Sequence, residues 1–246
     1  MASLEYHRPR TLEEALDLLE EGVPLGGGTR LSTSLREVTA LIDLQDLDLG
    51  GIEVSSDSIT FGGTATLQDL VEAAEKLPSD LVQTARLEAG WNIRNQATVA
   101  GTIVTGDGRS PLLAALLAMG TELALAPGDE QNSLDGTLQR SDRAGGKLIT
   151  RIRAVVPDQF RYAQVARSPV DRPQVCVAAA SSGGETRVAL GGFGDAPLLL
   201  QADSGPSMAE AARAAYADAG DQWASSEFRA AVAAALVERL VSALDE

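Results

Sequence analysis

Two glycine-bearing loops carry the residues whose types and spacing could do chemistry in this chain. They are Pro24-Leu25-Gly26-Gly27-Gly28-Thr29 and Asn92-Ile93-Arg94-Asn95-Gln96-Ala97-Thr98-Val99-Ala100-Gly101-Thr102, each beside an apolar, strand-like run. Three successive glycines expose backbone N–H groups with no Cβ in the way, and neighbouring N–H groups in a tight turn form a concavity that favours an anion. A hydroxyl closes each loop, at Thr29 and Thr102, and offers one more donor to a phosphate oxygen. Together the loops have the character of a pyrophosphate clamp, while either one alone also reads as a sharp turn between buried elements. Other chemistries find little to build on. The single cysteine, Cys176, cannot close an internal disulfide or supply the four protein ligands of an iron–sulfur cluster, so such a cluster would sit on a partner. It lies in the apolar run Gln174–Ala179 and reads as a small packed hydrophobe. The single histidine, His7, lies near the amino end and reads as a surface residue, which leaves no basis for a histidine zinc site or a Ser-His-Asp triad. No residue is singled out as catalytic or as a metal ligand.

Composition narrows the class of protein around those loops. With 246 residues, 44% of them apolar and 22% charged, the chain is long enough for one large domain or two modest ones and has the balance of a globular protein. Its formal net charge of -15, from 35 acidic and 20 basic side chains, repels nucleic-acid backbones and anionic lipid surfaces. No run approaches the ~20 apolar residues of a membrane span, and Met1–Arg8 lacks the apolar core of a signal peptide. The expectation is a cytoplasmic protein with no nucleic-acid partner and no membrane insertion.

The elements that must position the loops can be traced along the chain. Thr11-Leu12-Glu13-Glu14 has the pattern of a capping box, and Leu12, Ala15, Leu16 and Leu19 continue at helical spacing to about Glu21. Val23–Leu25 is a short strand feeding the first loop, and Val38–Leu44 is a second apolar run whose Asp43, Asp46 and Asp48 read as turn residues. Ser58–Gly62 predicts a strand, Leu67–Leu77 a helix capped by Thr66 with Asp69 behind it, and Asp80–Glu88 another helix. Ser110-Pro111 opens an alanine and leucine helix to about Met119, followed by a strand over Thr121–Ala126. Residues from Pro127 to Gly146 lose periodicity and read as a long loop. A strand resumes over Leu148–Val156, Pro157-Asp158 marks a boundary, and β-like runs follow at Phe160–Arg167, Val175–Ser181 and Thr186–Phe193. Two helices end the chain. The last, about Ser225–Leu244, places Phe228, Val232, Ala235, Leu236 and Leu240 on one stripe, which is core packing without a site. The alternation is α+β or α/β in character.

At this point the residues resemble a family, the FAD-binding middle subunit of the molybdenum hydroxylases of the carbon monoxide dehydrogenase and xanthine dehydrogenase type. Pro24–Thr29 is similar to its first flavin loop and Leu41-Ile42-Asp43-Leu44 to the strand that follows. Phe61-Gly62-Gly63-Thr64-Ala65-Thr66-Leu67 resembles the segment leading into the next helix. The most specific match is Ile93–Thr102, similar to the Ile-Arg-Asn-x-Ala-Thr-x-Gly-Gly-Asn stretch of the second flavin loop. Tyr162–Arg167 with Asp171, Arg187–Gly192 and Ser225–Arg229 resemble the family's carboxy-terminal domain.

The resemblance implies an α+β protein in which two small α+β subdomains, about 1–50 and 51–156, form an FAD-binding domain. A carboxy-terminal domain over 157–246, a small antiparallel sheet with helices, would close over the flavin ring. It implies FAD held by Leu25, Gly26, Gly27, Gly28, Thr29, Arg30, Leu31, Asn95, Thr98, Ala100, Gly101, Thr102 and Asp107, with Tyr162 packed on the ring and Arg30 or Arg94 paired with phosphate. The implied activity is that of an oxidoreductase subunit, an FAD-dependent dehydrogenase component. It would take electrons from an iron–sulfur subunit and pass them to an external acceptor, beside a molybdopterin-containing subunit that oxidises the substrate. The sequence also departs from the family. Ala100-Gly101-Thr102 stands where Gly-Gly-Asn is common, Gln164 where a basic residue is frequent, and no counterpart of a phenylalanine- and glycine-containing loop precedes Leu148. In the family's Ser-Pro-x-x-Asp pattern, Asp107 and Gly108 stand at the start and Pro111 at the acidic position. These departures keep a second reading open, a non-catalytic relative with a degenerate flavin site that serves as an assembly or interaction subunit.

Overall fold

The computed structural model describes residues 4–31, 38–128, 130–200 and 207–244. Met1–Ser3 of the amino-terminal stretch and Asp129 of the expected long loop lie outside them. Three sheets, each confined to one stretch of chain, organise the molecule. The first is a parallel sheet in which β3 (Ala40–Asp43) lies between β1 (Glu5–His7) and β2 (Val23–Leu25). Helix α1 (Leu12–Asp17) packs on it through Ala15, against Ile42, Leu44 and Leu47. Thr11 caps α1 by accepting from the Glu14 N–H at 3.2 Å, but the Glu14 carboxylate accepts from the Arg10 N–H instead of returning to Thr11, so one arm of the expected capping box forms. Asp43, expected as a turn residue, ends β3 buried, where it accepts from the Tyr6 hydroxyl and the Gln45 N–H.

The second sheet is antiparallel, in the order β4 (Ile52–Val54), β5 (Ser58–Gly62), β8 (Leu148–Val155), β6 (Glu122–Ala126), β7 (Glu130–Ser133). Helices α2 (Leu67–Glu72), α3 (Ser79–Glu88), α4 (Trp91–Arg94), α5 (Val99–Thr105) and α6 (Pro111–Ala118) fall between β5 and β6. Both arms of the capping box at Thr66 and Asp69 are present on α2. The expected loop over Pro127–Gly146 is corrected here: it contains β7 and α7 (Leu134–Leu138). Edge strand β7 is short and polar, so it carries no apolar period to read.

The third sheet is antiparallel, ordered β12 (Leu198–Leu199), β11 (Glu185–Gly191), β10 (Val175–Ser182), β9 (Gln159–Val165), and is followed by α8 (Met208–Ala215) and α9 (Ser226–Ser242). Successive side chains of a strand point to opposite faces. On β10, Val175, Val177 and Ala179 join the core beneath α8 and α9, while Cys176, Ala178 and Ala180 join the core around α6. Every residue of α6 is buried, as an all-apolar helix between two layers requires. Helix α9 is rotated from the expected stripe: Phe228 and Ala235 are exposed, whereas Arg229, Ala233 and Val237 are buried.

Candidate functional site

The fold brings the two glycine loops into contact. Loop one leaves the end of β2, and loop two runs from α4 into α5. A Cβ built on Gly27 would lie 1.6 Å from the Gln96 carbonyl oxygen, and one on Gly26 would lie 3.0 Å from Thr98 Oγ1. Glycine is therefore required so that the two backbones can touch. Gly28 adopts φ +69°, a left-handed conformation that a side chain would strain. Loop two is fixed to the β5–α2 segment by hydrogen bonds from the Leu67 N–H to the Ala97 carbonyl at 2.8 Å and from the Val99 N–H to the Ala65 carbonyl at 2.9 Å. The glycines that resemble the family's lead-in segment serve the same close packing, since a Cβ on Gly63 would meet the Ile149 carbonyl oxygen at 2.2 Å.

Donors remain free at this junction. Among the described residues, the N–H groups of Gly26, Gly27, Gly28 and Thr29 donate no hydrogen bond, and neither does the Thr29 hydroxyl. A half-buried turn with four unpaired N–H groups is a cradle for an anion. Thr98 is buried and caps α5, its Oγ1 accepting from the Gly101 N–H at 3.0 Å. Ala100 lies in the first turn of α5 with its methyl group in the hydrophobic core, outside the set of positive-φ residues. A glycine is not needed there, and the methyl does not project into the cradle. The residues present thus fit a dinucleotide pyrophosphate.

Other predicted donors are committed elsewhere. The Thr102 hydroxyl, read as a phosphate donor, is buried and donates to the Thr98 carbonyl at 3.0 Å. Arg94 donates to the Ala89 carbonyl at 2.8 Å and to Gln68 at 3.2 Å, which ties α4 to α2 and α3 instead of to a phosphate. The Asn95 amide turns back to the Trp91 carbonyl at 2.7 Å. These polar atoms are used by the nearest unpaired backbone groups, which spacing alone does not reveal. Arg30 is exposed at the end of loop one, within electrostatic reach of Asp107, and Leu31 ends the described part of that loop.

Asp107 stands where the second subdomain meets the third sheet. It accepts from Arg172 through both carboxylate oxygens, one at 2.8 Å, and from the Arg109 N–H at 2.8 Å. Burial pushes this carboxyl upward, but the Arg172 guanidinium and the Arg109 N–H outweigh it and hold the pKa below the ordinary value. Beside it a Cβ on Gly108 would fall 1.8 Å from the Phe193 carbonyl oxygen, and the Gly108 N–H donates to the Gly194 carbonyl at 2.9 Å. Glycine at 108 lets the backbones of the two units pair.

Tyr162 on β9 faces α3 and the core around α6. Its N–H donates to Asp80 at 2.9 Å and its hydroxyl to Gln164 at 2.8 Å. Burial, then Cys176, raise its pKa well above the usual phenol value.

Sequence reasoning assigns no structural role to three arginines that the fold uses. Arg229 is 0% exposed. It donates to the carbonyls of Gln174, Ala219 and Ala224 and to both oxygens of Asp221, at 2.6 to 3.1 Å, with Phe193 beneath its guanidinium. Arg109 donates to the carbonyls of Pro173 and Arg172 and lies 5.2 Å from the Trp223 ring centre. Arg143 donates to the Ile103, Gly106 and Asp195 carbonyls, clamping the end of α5 to the third unit. Only the Ser225–Arg229 match to the family singled out any of them.

A three-stranded parallel sheet and a five-stranded antiparallel sheet bring two glycine loops into contact beside a third, antiparallel sheet, and the unpaired N–H groups of loop one suit a phosphate-bearing cofactor. The model of the family described as the FAD binding domain in molybdopterin dehydrogenase matches residues 2–154, and the chain belongs to that family. FAD is its cofactor. The chain is similar, at 31% identity over 173 residues, to the carbon monoxide dehydrogenase medium chain of Afipia carboxidovorans, covering 63% of this chain and 59% of that one. It is 26% identical over 216 residues to the glyceraldehyde dehydrogenase medium chain of Sulfolobus acidocaldarius, covering 78% and 76%. The fold superposes on a chain of CO dehydrogenase from Oligotropha carboxidovorans with a TM-score of 0.80, 23% identity and 96% coverage of each chain.

Proposed function

We propose that this chain is the FAD-bearing electron-transfer subunit of a molybdenum hydroxylase complex, receiving electrons from an iron–sulfur subunit and delivering them to an external acceptor. The observation that carries this reading is the contact between Gly26-Gly27 and Gln96–Thr98, which leaves four N–H groups of loop one facing no partner among the described residues. Bound FAD supplies the electron-accepting ring, and the protein holds and orients it. Residues Gly26–Thr29 would offset the pyrophosphate charge through backbone donors and the Thr29 hydroxyl. Asp107 and Arg172 would hold the third domain against the cleft, and Tyr162 would flank the ring. A single cysteine requires that iron–sulfur clusters be carried by a partner. The relatives named as medium chains support a multi-subunit assembly. The degenerate-site reading loses support from Ala100, whose methyl group sits in the core.

The test is purification of the tagged full chain from its native host, with flavin, iron and molybdenum quantified together. Co-purifying iron and molybdenum in fixed ratio to flavin, with the flavin band bleached anaerobically by a substrate that the complex oxidises, is the expected result. Flavin-loaded protein that carries neither metal in any preparation would refute the complex.

A further inference from the structure

At the other end of α5 from the glycine loops, where it meets α7 and the loop leaving β11, the surface folds into a concavity of about 530 Å³, the size of a small-molecule site. Val104 of α5 and Leu138 of α7 give it apolar surface, while Arg140, Ser141, Arg143 and Asp195 supply polar groups. Arg143 is 9% exposed, so its charge is almost withdrawn from water. Buried charges are as a rule paired with an opposite charge. This guanidinium instead donates to three backbone carbonyls, those of Ile103 and Gly106 through Nη1 and that of Asp195 through Nη2, at 2.6 to 2.8 Å. Among the described residues it forms no ion pair. Asp195 and Asp107 act on it through space, and burial outweighs them, holding its pKa below the ordinary guanidinium value.

A guanidinium carries five N–H donors. Three of those on Arg143 are spent, which leaves Nε–H and one hydrogen of Nη2 with no acceptor among the described residues. Nε is not sealed in the core, as the Nε of Arg187 is, and Arg143 lines the concavity. On the rim, the Arg140 guanidinium and the Ser141 hydroxyl make no hydrogen bond among the described residues. Two guanidinium groups thus face one carboxylate, that of Asp195, in a chain whose net charge is -15. We infer that this concavity binds a small organic anion, its carboxylate or phosphate oxygens held by Arg140, Arg143 and Ser141 and its apolar body lying on Val104 and Leu138. Adjacent N–H groups of a guanidinium match the two oxygens of such an anion, and the anion supplies the counter-charge that Arg143 lacks. The site is separate from the pyrophosphate cradle and does not depend on bound FAD.

The experiment is isothermal titration calorimetry of the FAD-saturated full chain with phenyl phosphate, with benzoate and, as a neutral control, with benzyl alcohol, beside thermal unfolding of each variant. Saturable binding of phenyl phosphate or benzoate, and none of benzyl alcohol, is the expected result, and the tighter of the two anions identifies the oxyanion the site prefers. Arg140 is exposed, so Arg140→Met should keep the wild-type melting temperature while loss of one charge-assisted hydrogen bond raises the Kd of the anion about tenfold. Val104→Asp, which sets a like charge on the apolar wall, should abolish binding. Absence of saturable binding of either anion up to about 10 mM overturns the inference. So does binding that Arg140→Met leaves unchanged, which places the anion elsewhere on the chain. Anion binding seen only in flavin-free protein overturns it too, because the anion then occupies the pyrophosphate cradle. Wild-type protein that takes up no FAD overturns the cofactor reading and not this site, which Arg140→Met then decides in the flavin-free chain.

Discussion

Replacing Gly27 by alanine tests whether the two loops form one site. The added methyl would lie 1.6 Å from the Gln96 carbonyl oxygen, and ordinary contact begins near 3.4 Å, so the loops must part by about 1.8 Å. Gly27 is not among the positive-φ residues, so the effect is steric and not torsional. A hydrogen bond of ~2.9 Å stretched by that distance no longer exists. Losing one charge-assisted bond to a phosphate costs ~1.5–3 kcal/mol, a rise in Kd of roughly tenfold to more than a hundredfold. The forced separation also costs ~1–3 kcal/mol of stability. Gly28→Ala is the internal comparison. Its methyl would meet only the end of the Leu25 side chain at 2.9 Å, and its φ of +69° adds strain of ~1–2 kcal/mol. FAD titration and thermal unfolding of both variants give the answer. A Gly27→Ala protein whose FAD Kd stays within about twofold of wild type, with no fall in melting temperature, would refute the loop contact.

Three further outcomes follow from named contacts. Arg229→Met strips three carbonyls and Asp221 of their buried donor and, with Asp221 itself partly exposed, should cost ~3 kcal/mol, lowering the melting temperature by roughly 6–12 °C in thermal unfolding. Asp107→Asn should remove at most ~1 kcal/mol, since the pair with Arg172 is part-exposed. Because the Asp107 pKa is lowered in the fold, that contribution is complete above the ordinary carboxylate range and vanishes as pH falls through the folded value. The melting-temperature gap between wild type and variant should be constant from about pH 8 to 5 and close below about pH 4. Thr29→Ala should weaken FAD retention roughly twofold to tenfold, while Thr102→Val, whose hydroxyl is spent on the Thr98 carbonyl, should leave the FAD Kd unchanged in the same titration.

What the sequence made legible was local. Thr66 with Asp69 and Ser110 with Pro111 announce helix starts because a cap and the amides it serves lie within three residues. The all-apolar α6 and the doubly buried β10 show their burial in composition alone. The strand β7 and helix α7 were hidden because they are short and β7 is polar, so neither has a period to detect. Arg229 was hidden for another reason: Gln174, its most distant partner, lies 55 residues away and offers only a carbonyl, which every residue type has. At the cradle, the glycines were readable as a motif. Which hydroxyls and guanidinium groups stay free was not, since Thr102 and Arg94 are taken by backbone groups that only the packed fold brings near. In the sequence Glu88 reads only as the end of a helix. Its hydrogen bonds from Ser110 and Leu112 at the start of α6 are a property of how α3 and α6 pack.

The most direct test of the account is an absorbance and fluorescence spectrum of the purified protein over about 300–550 nm, repeated after incubation with excess FAD and removal of unbound ligand. The account predicts flavin bands that stay with the protein and diminish in Gly27→Ala. A folded protein that remains colourless after FAD is supplied would contradict it.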